Sequence, residues 1–152
     1  MSQQESDDDR LDRELIEFLN ELRVVLPGVQ VLFAFMLTVP FTNQFTKITN
    51  EQKLVFFATF LCTTAATALL IAPSAYHRIR WREYDKERLL KTSNRLSIAG
   101  MVFLTFALVG AAFLVADLLF HAAAAAVVTA AVAGFILWFW WGLPLLRKIA
   151  DR

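Results

Sequence analysis

A chain of 152 residues that is 57% hydrophobic, with a mean hydropathy of +0.51, is too apolar for an ordinary soluble domain of its size. The net charge of +1 conceals a segregation: residues 1–23 hold eight acids against three bases, and residues 77–95 hold seven bases against three acids. The single cysteine, Cys62, excludes an internal disulfide and a cysteine-rich metal site.

Residues 1–9 read as a mobile acidic tail. In 10–26, Leu11, Leu15, Phe18, Leu22 and Leu26 recur at spacings of three and four, which predicts an amphipathic helix with Asp8 or Asp9 as its cap. Its other face is acidic, whereas a helix resting on anionic lipid is normally basic. The expected seat is therefore the cytoplasmic ends of the spans, with Glu14, Glu17 or Glu21 near Arg78, Arg82 or Arg88. The first apolar run begins too late, and behind too many acids, for a cleaved signal peptide.

Pro27-Gly28 should break or kink the chain before the first span, about 24–41. A polar loop with only Lys47 and Lys53 follows. The second span, about 54–72, is expected to end at Pro73, and its run of Ala and Thr suits close helix packing. Its hydroxyls can bond the carbonyl one turn back. The third span, about 96–120, offers Gly100, Ala107, Gly110, Ala111 and Ala112 as contact positions. A tight turn at Phe120-His121-Ala122 leads to the fourth span, about 122–143. There Ala126, Ala130 and Gly134 form a small-residue ridge, and Trp138, Trp140 and Trp141 form an interfacial belt with Trp81 and Tyr76.

The fold expected is all-α: an integral membrane four-helix bundle of two antiparallel hairpins, with the N-terminal helix on the cytoplasmic face. The basic segment 77–95 is the hinge between the hairpins, and Lys and Arg near span ends stay cytoplasmic. Both termini are therefore expected in the cytoplasm, in a cell membrane. A nucleic-acid role for the basic hinge is not expected. The partners expected are the lipid bilayer and, since four spans leave little room for an internal path, further copies or a larger membrane complex.

Asp117 is the only acid within an apolar run, and His121 lies one turn on. Such a pair can pass protons or sense pH, or simply close the turn. Gln30 and Thr38, eight residues apart, share a face that either lines a polar path or bonds neighbouring helices. Glu21, Arg23, His77, Arg78 and Arg95 should form an ion-pair network at the cytoplasmic face. No phosphate loop, metal-ligand set or nucleophile–base spacing is present, so neither an enzyme nor a cofactor is expected. The function expected is that of a non-enzymatic accessory or structural membrane protein. The alternative is a small proton- or sodium-coupled transporter using Asp117, His121 and Gln30.

Glu21-Leu22-Arg23, residues 27–35 (PGVQVLFAF), Pro40-Phe41, the stretch from Ala72 to His77-Arg78, Asn94-Arg95 and Asp117 together resemble a family of small four-span bacterial membrane proteins. That family is common in actinobacteria and is a domain of unknown function. The resemblance implies a four-span fold, and some members bear a sodium:proton antiporter label.

Overall fold

A computed structural model describes residues 2–79, 86–120 and 122–150. Side chains are described at 10–76 except Asp12, at 88–120, and at 123–147 except Leu145. The chain is helical: α1 (Ser2–Thr38), α2 (Asn50–Ile79), α3 (Lys86–Leu119), α4 (Ala122–Leu137) and α5 (Leu143–Ala150). Two 3₁₀ turns, Val39–Phe41 and Phe45–Lys47, fill the link from α1 to α2, and a π turn, Trp138–Gly142, joins α4 to α5. Four segments are long and apolar enough to cross a membrane: Arg13–Phe41, Asn50–Tyr76, Arg88–Leu119 and Ala123–Gly142.

The helices run past three of the expected boundaries. The acidic residues 2–9, the segment 10–26 and the first span all belong to one helix, α1, with Pro27 inside it. The helix that holds the second span does not stop at Pro73: α2 runs through it to Ile79. Both prolines delete one helical N–H, but ending the helix there would leave several more backbone groups without partners among apolar side chains. Acids in the first turns also favour a helix by meeting its positive end. The hinge is correspondingly shorter than 77–95. Arg88, Lys91 and Arg95 stand on the first turns of α3, and residues 80–85 lie outside the described residues.

The centre of the fold is the seam between α2 and α3. On α2 the buried positions are Phe56, Thr59, Thr63, Ala66, Leu70 and Pro73. On α3 they include Ser93, Ser97, Gly100, Leu104 and Ala107. Both sets alternate steps of three and four, the period of 3.5 that keeps one stripe facing a partner helix. Two glycines set the separation. A Cβ on Gly100 would meet the Leu70 side chain at 2.8 Å, and one on Gly110 would collide with the Thr59 hydroxyl. Both contacts, and the Gln52–Asp117 bond described below, pair residues whose numbers add to 169 or 170. One antiparallel register therefore holds along the whole seam, and it sets Ser97 opposite Pro73.

The threonine hydroxyls within this seam bond carbonyls of their own helices. Thr63 donates to the Thr59 carbonyl and Thr67 to the Thr63 carbonyl, both at 2.8 Å, and Thr59 donates to the Val55 carbonyl. On α3, Thr105 donates to the Met101 carbonyl at 2.9 Å. Among the described residues, the buried Ser97 hydroxyl is the side-chain group left without a partner.

Helix α1 packs on α2 and more lightly on α3. Leu22, Val29 and Met36, seven residues apart, are its buried stripe. Leu22 and Val29 join Ala66, Leu70 and Leu104 in the core, where Phe18, Leu26 and Trp140 pack against them. Phe33 stacks on Phe60 of α2, with centroids 5.8 Å apart. Among the described residues α4 packs on α3 alone of the other long helices. It buries Ala125 and Ile136, with Thr129, Val132 and Ala133 half-buried between them. The expected ridge of Ala126, Ala130 and Gly134 is instead exposed, and a Cβ on Gly134 would meet nothing within 4 Å. An all-apolar helix has small residues on every side, so the ridge pattern could not say which side is covered.

The two glycines should separate in mutants. Gly110→Ala drives a methyl into Thr59 and should cost roughly 1–3 kcal/mol, whereas Gly134→Leu should stay within about 0.5 kcal/mol of the parent. Thermal unfolding in one detergent compares them, and equal losses would refute the seam. Ser97→Ala removes an unpaired buried hydroxyl and should leave stability equal or about 1 kcal/mol higher. A clear loss would mean that this hydroxyl has a partner.

Candidate functional site

The polar tie at one end of the seam starts with four residues, Thr49-Asn50-Glu51-Gln52. Thr49 caps α2: its hydroxyl accepts the Gln52 backbone N–H at 3.2 Å, and Gln52 Oε1 accepts the Thr49 backbone N–H at 2.9 Å. This is a reciprocal capping box, which needs Ser or Thr followed three residues later by Glu or Gln. The other end of the same amide reaches α3, where Gln52 Nε2 donates to Asp117 Oδ2 at 2.7 Å. One side chain thus caps α2 and ties its start to the end of α3. A glutamate would serve the cap equally well but could not donate to a carboxylate, so the tie requires the amide.

Beside this tie lies a cavity of ≈ 320 Å³, walled by the end of α1, the link to α2, the start of α2 and the end of α3. Phe35, Met36, Phe45, Phe56, Leu114 and Leu118 give it an apolar wall. Phe45, from the link, meets Phe56 edge-on at 5.1 Å and 72°. Of the four polar side chains on the wall, Thr38, Thr42, Gln44 and Gln52, three are engaged within the chain. Thr38 donates to the Phe35 carbonyl at 2.8 Å, Thr42 to the Val39 carbonyl at 2.7 Å, and Gln52 is held at both ends of its amide. The volume falls at the lower limit of ligand sites, about 300–1,000 Å³.

At the opposite end a second hollow, ≈ 290 Å³, is lined by Glu14, Glu17, Phe18 and Glu21 of α1 and by Leu90, Lys91 and Asn94 of α3. The N-terminal half of α1 therefore stands alongside the first turns of α3 and does not lie across the helix ends. Its length explains this. At about 1.5 Å per residue, the 37 residues of α1 reach far past a hydrocarbon core of about 30 Å. The 30 residues of α2 and the 34 of α3 also overshoot it. Arg10 pairs with Glu14 at 2.9 Å, an exposed contact within α1.

The anticipated site residues are thus distributed. Asp117 is half-buried and its partner is Gln52, while His121 lies outside the described residues. Gln30 is exposed on α1, two turns before Thr38 and outside the cavity wall. Glu21 borders the acidic hollow with Lys91 and Asn94, while Arg23 and Arg95 are exposed. The side chains of His77, Arg78 and Arg82 lie outside the described residues. Gln52 is the residue the sequence reading passed over, although the Thr-x-x-Gln pattern before an apolar run signals it. Among the described residues no three His, Cys, Asp or Glu side chains gather where they could hold a metal ion.

A continuous antiparallel seam with four helices long and apolar enough to cross a membrane places the chain among multi-helix membrane-type folds. More narrowly, it belongs to the family described as Family of unknown function (DUF6328), whose profile matches residues 4–144. No curated protein and no solved structure matches the chain. The family match brings no substrate or activity with it.

Two experiments test this site. In a double-mutant cycle of Gln52→Ala and Asp117→Ala, the coupling should be about 1 kcal/mol, the ordinary worth of one hydrogen bond, since both partners are half-buried. Gln52→Glu keeps the cap but sets two carboxylates against each other, so it should destabilise more than Asp117→Asn, whose amide oxygen still accepts. Additive single mutants would dismiss the tie. For α1, Phe18→Asp with Leu22→Asp should expose the segment before Asn20 to protease. Glu17→Gln should not, since exposed charge pairs contribute only about 0–1 kcal/mol.

Proposed function

We propose that this is a non-enzymatic, multi-pass protein of the bacterial cell membrane with a structural or accessory role, both termini being cytoplasmic. The observation that carries the reading is the closed state of the seam. Its threonine hydroxyls return to carbonyls of their own helices, and its one span carboxylate is consumed in an inter-helix tie. A proton or sodium path needs polar groups free to exchange partners along its length. Here Gln30 is exposed on α1, away from the cavity wall beside the tie, so the residues a transporter would use do not line up.

The topology follows from charge. Residues 77–95 carry seven of the fifteen Lys and Arg, while the α1–α2 link and the first turn of α2 carry only Lys47 and Lys53. By the positive-inside rule the former face the cytoplasm. An accessory role also suits a fold in which α4 is covered on one side only, leaving surface for another membrane protein or a second copy.

Cysteine labelling on a Cys62→Ser background tests orientation: Asn43→Cys should react from outside intact cells, and Arg13→Cys only after permeabilisation. Purification in mild detergent should bring down a stoichiometric partner or a homo-oligomer. Protein reconstituted in vesicles should move neither protons nor sodium. Ion flux that vanishes in Asp117→Asn would replace this reading with the transporter.

A further inference from the structure

The cavity beside the Gln52–Asp117 tie is walled by three helices and the α1–α2 link, and its chemistry narrows what can enter. Its aromatic and aliphatic wall offers dispersion contacts, and Met36 adapts to irregular shapes. It offers few hydrogen bonds, because Thr38, Thr42 and Gln52 bond inside the chain and Gln44, on the link, is the one further polar side chain of the wall. A polar or charged ligand would find little there to offset its desolvation. The occupant is therefore hydrocarbon.

The position of the mouth selects its source. Phe35 of α1 and Val115 and Leu118 of α3 line the cavity and are 57%, 53% and 59% exposed. These are lateral surfaces of apolar spans, so the cavity opens sideways toward the medium that surrounds them. On the membrane reading above, on which this inference rests, that medium is acyl chain. The link between Val39 and Thr49 closes the end of the cavity, with Phe45 against Phe56 as its inner face and Phe41 90% exposed on its outer face.

We infer that this cavity is a binding site for one acyl chain of a membrane phospholipid, entering between α1 and α3 and ending against the Phe45–Phe56 pair. The chain occupies the site by its hydrocarbon, and the head group stays outside the wall. The tie bears on this site: Gln52 lines the wall, and its bond to Asp117 fixes the distance between the start of α2 and the end of α3, which sets the cavity's width.

The test is photolabelling of the purified full-length protein in phospholipid vesicles doped with a phosphatidylcholine carrying a diazirine near its acyl terminus. Labelled peptides are then located by mass spectrometry. The exposed face of α4, at Val127 and Phe135, serves as the internal measure of ordinary lipid contact. Labelling at Phe35, Phe45 and Phe56 should exceed that face severalfold. Ala111→Phe, which fills the cavity, should reduce it to the level of α4 while leaving α4 labelling unchanged. If Ala111→Phe does not fold, Val115→Trp at the exposed mouth should do the same. Labelling of α4 with none above it in the cavity overturns the acyl-chain site and leaves the membrane reading standing. Absence of label from both overturns the two together. Strong cavity labelling that neither variant reduces also overturns the site.

Discussion

The close approach of α2 and α3 is the constraint on which the remaining structure depends. Helices among apolar surroundings gain little from hiding hydrophobic side chains, since the surroundings are equally apolar. What holds them is contact between backbones and short side chains. Gly100, Ala107 and Gly110 supply the room on α3, and Thr59, Thr63 and Ala66 fill it from α2. The 3.5-residue period of both stripes keeps this contact in one register from Gln52–Asp117 at one end to Pro73–Ser97 near the other. A shift of one turn along either helix would set Thr59 against a side chain larger than glycine. Helix α1 then fills the groove above Ala66, Leu70 and Leu104, and α4 takes the opposite flank of α3.

Threonine suits this arrangement because it solves two problems at once. Its methyl group packs, and its hydroxyl disposes of itself by bonding the carbonyl a turn earlier. In α2 this happens at Thr59, Thr63, Thr64 and Thr67, so a segment that looks polar in composition presents little free polarity to α3. The same requirement for satisfied backbone groups carries α1 through Pro27 and α2 through Pro73. Each proline removes one bond, but termination would expose several carbonyls and amides to a medium that cannot bond them.

Much of this was legible in the residues. The four apolar stretches, the contact role of Gly100, Ala107 and Gly110, and the back-bonding of the α2 threonines follow from hydropathy and residue size alone. Helix ends were harder, because Pro27, Pro73 and the polar residues 2–9 carry the signals that stop helices in water. At the two prolines the need to satisfy backbone groups among apolar side chains outweighs them. The facing of α4 was not legible at all: Ala126, Ala130 and Gly134 form as good a stripe as Ala125, Thr129 and Ile136, and only the neighbour decides between them. Gln52 was legible as a cap through Thr49, but its bond across 65 residues to Asp117 required the seam register, which composition does not contain.

That register changes the meaning of Asp117. Taken alone, an acid in an apolar run invites a proton-handling role. In place, it accepts from an amide that is itself fixed by the Thr49 backbone, so both partners are pre-oriented. A group that shuttles protons must alternate between two arrangements of similar energy. This one is pinned where two helix ends meet, next to an apolar space whose width it sets. The bond ties the start of α2 to the end of α3, where the α1–α2 link also meets the bundle.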